Sequence, residues 1–187
     1  MRALLTLFAS LSLVACGSTG SIKPVGDEAT AANFTSYDTV LVDVFSDATK
    51  KQNMPEYAGR QFTDIVVTEI KATNQFENVG TVDTTEPTGR AIRISGDITR
   101  YAKGNGALKV LVGFGAGSTH FEADVNLTDA ETGTPLGQMV VDKNSWALGG
   151  AIAASQSVED FMTRAAKKIA KDLTAGAEEP QIEGDTE

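Results

Sequence analysis

Cys16 is the only cysteine and His120 the only histidine among 187 residues, so any thiolate or imidazole chemistry must run through one of these two positions. A nucleophile–histidine–acid triad needs the imidazole beside both partners. His120 precedes Phe121 at the start of an alternating stretch, which reads as an edge or surface position of a strand. One histidine with scattered carboxylates also shows no metal-ligand spacing. The run Gly113-Phe114-Gly115-Ala116-Gly117 resembles half of a dinucleotide fingerprint, but Ser118 stands where the third glycine is required, and no Gly-Lys-Ser/Thr follows. It reads as a glycine-bent or bulged β segment. Asp129 and Glu131 are spaced like paired acids. They lie in Asp129-Ala130-Glu131-Thr132-Gly133, where aspartate suits local backbone bonds and Gly133 suits a positive φ. Trp146, the only tryptophan, reads equally as core or as a contact residue. No catalytic residue, metal ligand or cofactor-binding residue is therefore expected.

Cys16 has a different chemistry open to it. Arg2 gives a short positive start, residues 3–14 are apolar apart from Thr6, Ser10 and Ser12, and Ala15 is a small residue before a cut. This is the pattern of a signal peptide, and it is shorter than the roughly 20 apolar residues of a membrane-spanning helix. Leu13-Val14-Ala15-Cys16 resembles the lipobox of bacterial lipoproteins. That resemblance implies cleavage after Ala15 and acylation of Cys16. One acyl chain holds a membrane only marginally, whereas two hold it stably. Gly17 stands where an aspartate commonly retains such proteins at the inner membrane, so the resemblance implies an outer-membrane anchor facing the periplasm if the host is Gram-negative. Otherwise it implies the outer side of the cell membrane.

The cleaved chain would keep residues 16–187, enough for one domain with a sizeable core. With Cys16 acylated no thiol remains for a disulfide, so the core alone must hold the fold. The net charge of −9 argues against nucleic acid, whose phosphates need cations, and no polybasic patch offers itself to anionic lipids.

Four segments follow from composition: a signal peptide at 1–15, a lipidated cysteine and flexible tether at 16–32, a single domain at 33–174, and an acidic tail at 175–187. A coil of about sixteen residues averages about 20–25 Å end to end. Within the domain, Thr39-Val40-Leu41-Val42-Asp43-Val44-Phe45 reads as a buried strand. Pro55 opens a helix whose apolar face is Ala58, Phe62, Ile65, Val66 and Ile70, and Asn74 ends it. A short strand at 76–82 follows. Ile92, Ile94, Gly96 and Ile98 share one face of the next strand, with Arg93, Ser95, Asp97 and Thr99 on the other. Residues 110–114 read as strand-like. Phe121, Ala123, Val125 and Leu127 alternate with polar residues, and residues 136–145 return as the hairpin partner. Residues 148–155 form a small-residue loop. Ser157 and Asp160 cap a last helix, whose buried face is Val158, Phe161, Met162, Ala165, Ile169 and Leu173. The order predicts an α+β fold: a two-layer α/β sandwich of a mostly antiparallel sheet of about five strands, with two helices packed on one face.

The segment Leu111-Val112-Gly113-Phe114-Gly115-Ala116-Gly117-Ser118, the turn at 129–133 and the lipobox together resemble a domain-of-unknown-function family of bacterial lipoproteins with a GFGAG segment and a DAETG-like turn. The resemblance covers most of residues 37–174 and implies no activity or catalytic residue. The β-α-β unit from Tyr37 to Val82 is more loosely similar to envelope domains of the curli-secretion lipoprotein, the amino-terminal domain of the Tol translocation protein and penicillin-binding-protein activator lipoproteins. The expected function is a non-enzymatic protein-binding or envelope-assembly module, held to the membrane through Cys16, with an envelope protein as partner. An accessory subunit of a transport or secretion complex is the alternative, and a cell-wall hydrolase comes third. The glycine-rich runs 113–117 and 148–155 are candidate contact loops.

Overall fold

The computed structural model describes residues 20–25, 34–50, 54–104, 118–145 and 156–175. The elements are β1 (Thr39–Val42), β2 (Ser46–Asp47), α1 (Glu56–Lys71), β3 (Asn78–Thr81), β4 (Ala91–Ala102), β5 (His120–Asp129), β6 (Pro135–Asn144) and α2 (Val158–Thr174). One six-stranded sheet runs in the order β3-β1-β4-β5-β6, with the two-residue β2 beside β4. β1 pairs in parallel with both β3 and β4, while the long pairs β4–β5 and β5–β6 are antiparallel. The α+β reading with a mostly antiparallel sheet holds. The expected strand at 110–114 lies outside the described residues, and the strand read over residues 39–45 ends at Val42, with β2 following it.

Both helices cover the same sheet face. Phe62 on α1 makes edge contacts with Phe45 and Phe121, each at 4.7 Å between ring centres. Val66 and Ile70 continue that stripe, and α2 adds Phe161, Met162, Ala165, Ile169 and Leu173, all buried. The β5 alternation works as predicted: Phe121, Ala123, Val125 and Leu127 are buried under the helices. Gly96 is small for a reason, since a Cβ there would lie 2.1 Å from the Asp124 carbonyl oxygen and 2.7 Å from the Phe45 ring.

The helix ends follow their sequence signals with one shift. Ser157 and Asp160 form a complete capping box on α2. Pro55 is the N-cap of α1 rather than its first helical residue. At the other end of α1, Asn74 takes a left-handed φ of 54°, a region asparagine tolerates better than most residues. Gly133 takes φ 71° in the β5–β6 turn.

The tether does not begin where composition places it. Lys23 and Gln138 exchange two backbone hydrogen bonds of 2.8 and 2.9 Å, an antiparallel bridge onto the free edge of β6. The Ile22 amide donates to Asp172 on α2, and the Ile22 side chain packs against the core. Residues 20–25 therefore belong to the domain, correcting the 16–32 tether. The signal was Ile22, an apolar residue that packs against the core while its neighbour Lys23 pairs with an exposed sheet edge.

Thr63 couples α1 to the chain after β1. Its hydroxyl lies 3.0 Å from the Asp43 carbonyl and 3.1 Å from the Gly59 carbonyl, and it accepts the Phe45 amide at 3.2 Å. Thr63→Val keeps the shape and strands that buried amide, so urea unfolding should show a loss of about 1–3 kcal/mol.

Candidate functional site

With the helices on one side, the other sheet face carries the polar residues of β4, β5 and β6. Near the end where β4 and β6 stop and β5 begins, that face gathers Arg100, His120, Glu122, Asp142 and Asn144. Strand register explains the gathering. β5–β6 pairing sets Glu122 opposite Asp142 and His120 opposite Asn144, and β4–β5 pairing sets Arg100 opposite Glu122. A bulge makes the last pair possible. Between Ile98 and Arg100 the register slips by one residue, so Thr99 is the extra residue. Uninterrupted alternation would turn Arg100 inward and Tyr101 outward. The bulge reverses both: Tyr101 pairs with Phe121 on the core side, and Arg100 emerges beside His120.

His120 is not an edge residue: β5 lies between β4 and β6, and the imidazole is 15% exposed. Nε2 is 2.8 Å from Asp142 Oδ1 and 3.9 Å from Glu122 Oε2. Nδ1 is 3.2 Å from an Arg100 Nη. A guanidinium only donates. Nδ1 must therefore accept, and the ring proton sits on Nε2, donating to Asp142. The tautomer follows from the partners.

His120, Glu122 and Asp142 bring three metal-type ligand atoms within 4.8 Å of one another, which linear spacing did not reveal. A cation on Nε2 would displace the proton held there. The proton would have to move to Nδ1, where it would face the Arg100 guanidinium. The cluster can take a metal only if Arg100 swings away. As it stands, both imidazole nitrogens are engaged, and the group cross-links three strands.

Beneath the cluster lies a buried polar layer. Thr119 Oγ1 reaches the carbonyls of Lys103 and Gln156, each at 3.1 Å, and its amide donates to Ser145. The Tyr101 hydroxyl and Gln156 Oε1 are buried with no hydrogen-bond partner among the described residues. Burial, then Glu159 and Tyr57, push the Tyr101 hydroxyl up to about 12. It stays protonated and cannot serve as a base at neutral pH.

Farther along the same face, a groove of about 610 Å³ is lined by Gly20, Ser21, Lys23, Asp97, Asp124 and Val140, among others. Asp97 and Asp124 are direct cross-strand partners, a like-charge pairing that costs stability. Burial, then Glu122 and Asp97, raise the Asp124 carboxyl above its ordinary value.

The paired-acid reading of Asp129 and Glu131 gives way to the turn. Asp129 Oδ1 accepts the Glu131 and Thr132 amides at 3.1 and 3.0 Å, and Oδ2 accepts the Tyr37 hydroxyl at 3.1 Å. The Thr132 amide bond, foremost, holds the carboxyl below its usual range. Cys16, the 113–117 glycine run, Trp146 and the 148–155 loop lie outside the described residues. Among the described residues no helix is long and apolar enough to cross a membrane.

A family model described as a domain of unknown function (DUF4410) matches residues 24–149. No curated protein matches. Among solved structures, the PelC dodecamer from Paraburkholderia phytofirmans superposes with a TM-score of 0.54 at 13% identity, covering 82% of this chain and 96% of that one. A point variant of it gives 0.57 at 14%, covering 82% and 98%. Protein XCC0632 from Xanthomonas campestris, of the DUF330 family, gives 0.50 at 12%, covering 83% and 92%. At these identities the likeness is one of fold.

A raised folded-state value means Asp124 favours folding most when protonated and opposes it once pH rises through that value. Asp124→Asn should therefore raise the urea midpoint at about pH 7 and leave it unchanged at about pH 3, where the wild-type carboxyl is already neutral.

Proposed function

This chain belongs to the family of the domain of unknown function DUF4410, and we propose that it is a lipid-anchored, non-enzymatic protein-binding module of the bacterial envelope. The observation that carries the binding reading is the sheet face that no helix among the described residues covers. It offers a groove bordered by Lys23, Asp97, Asp124 and Val140, and Val140 is 44% exposed. Its one imidazole is spent on Asp142 and Arg100, which favours recognition over catalysis. The anchor rests on Leu13-Val14-Ala15-Cys16, and Gly17 favours the outer membrane with the domain facing the periplasm. Acyl chains on Cys16 are the membrane contact, an envelope protein is the partner, and neither cofactor nor nucleic acid is involved.

A second reading has one observation in its favour: the structures of like fold include dodecamers. In it, copies of this chain assemble as an accessory of an envelope transport or secretion complex.

Two measurements separate the readings. Cys16→Ala should move the chain from the membrane fraction to the soluble one. A photo-crosslinker at Val140 should give one reproducible adduct with an envelope protein, and one at Asp64 on the exposed side of α1 should not. No adduct at Val140 contradicts the binding reading. A Val140 adduct with a second copy, together with a multi-subunit mass in detergent, favours the assembly reading.

A further inference from the structure

We propose that the middle row of the outer sheet face takes a lysine or arginine side chain of the partner protein, with the cationic head between the carboxylates of Asp97 and Asp124 and the stem laid over Val140. The inference rests on the protein-binding reading and adds to it the chemistry of the partner.

Strand register builds the row. β4–β5 pairing sets Asp97 opposite Asp124, and β5–β6 pairing sets Asp124 opposite Val140. Acid, acid and apolar residue thus stand side by side near the middle of β4, β5 and β6, and all three are exposed. They line one groove of about 610 Å³. The neighbouring row toward the β5–β6 turn is neutral: Ser95, Asn126 and Gln138.

The charge of the two acids is left open. Arg93, on the same face, is held by both oxygens of Asp43 at 2.9 and 3.0 Å. Arg100 is turned to His120. Lys23 borders the groove, yet neither Asp97 nor Asp124 has a cationic partner among the described residues. Like charges directly opposite each other weaken a sheet. Burial, then Glu122 and Asp97, already hold the Asp124 carboxyl above its ordinary value. A cation seated between the two carboxylates turns that repulsion into attraction.

Val140 selects the kind of cation. A small ion would use the acids and leave this side chain, 44% exposed, in water. Lysine and arginine carry an apolar stem behind a charged head, and the row offers them an apolar surface followed by acids, in that order. With strands about 4.8 Å apart, the midline between the acids lies roughly 7 Å from β6. One long side chain crossing Val140 covers that distance.

The test uses the full chain in cells, with the photo-crosslinker at Val140. The adduct should map to a partner peptide that contains lysine or arginine, read by mass spectrometry after cleavage at glutamate. Asp97→Asn with Asp124→Asn should lower the adduct yield by roughly tenfold or more, with a urea midpoint no lower than that of the wild type. Asp97→Glu with Asp124→Glu should keep the adduct, and Asp64→Asn on α1 should not change it. Asp124→Asn alone repeats the test if the double variant does not fold. An undiminished adduct in the folded asparagine variant overturns the proposal and leaves the protein-binding reading standing. No adduct from the wild-type face sinks both. An adduct with a second copy of this chain supports the assembly reading and overturns the partner named here.

Discussion

The insertion of Phe62 between Phe45 and Phe121 is the contact on which the rest of the molecule depends. It joins α1, the chain leaving β1, and the middle of the antiparallel run through two edge-on aromatic contacts, each of a kind that adds about 0.5–1.5 kcal/mol beyond area burial. Gly96 makes the room, and Thr63, one residue on, satisfies the amide of Phe45. With α1 fixed, α2 has one place left, beside it on the same face. The helices thereby cover one side of the sheet, and the opposite side of β4, β5 and β6 carries mostly polar side chains with Val140 exposed among them.

That one-sidedness leaves an outer face of mostly polar side chains, and the Thr99 bulge decides its chemistry. Without the slip, Arg100 would be driven into the core and the Tyr101 ring into solvent. With it, Arg100 meets His120, fixes the imidazole tautomer and so commits Nε2 to Asp142. In this arrangement the cluster is a hydrogen-bonded tie across β4, β5 and β6.

The sequence made some of this readable and hid the rest for identifiable reasons. β5 and α2 were plain because a half-buried strand and an amphipathic helix each repeat with a fixed period. Ser157 and Asp160 were plain because a capping box is local. The bulge was hidden because Ile98-Thr99-Arg100-Tyr101 carries no glycine or proline to mark it. The His120 cluster was hidden because its members come from three strands, and because a register shift between Leu127 and Thr128 puts Asp142 opposite Glu122 where counting from the turn gives Val141. The docked segment at 20–25 was hidden by its glycine, serine and proline neighbours, which read as linker; its partners are 115 and 150 residues away.

That segment closes part of the free edge of β6. Docked on the edge of β6 and held to α2 through Ile22, residues 20–25 form one body with the domain. Amide hydrogen exchange at Lys23 in the full chain tests this most directly, because that amide donates to the Gln138 carbonyl only if the segment is docked. The account predicts protection comparable to that of the β6 amides; exchange at the rate of an unstructured peptide would contradict it.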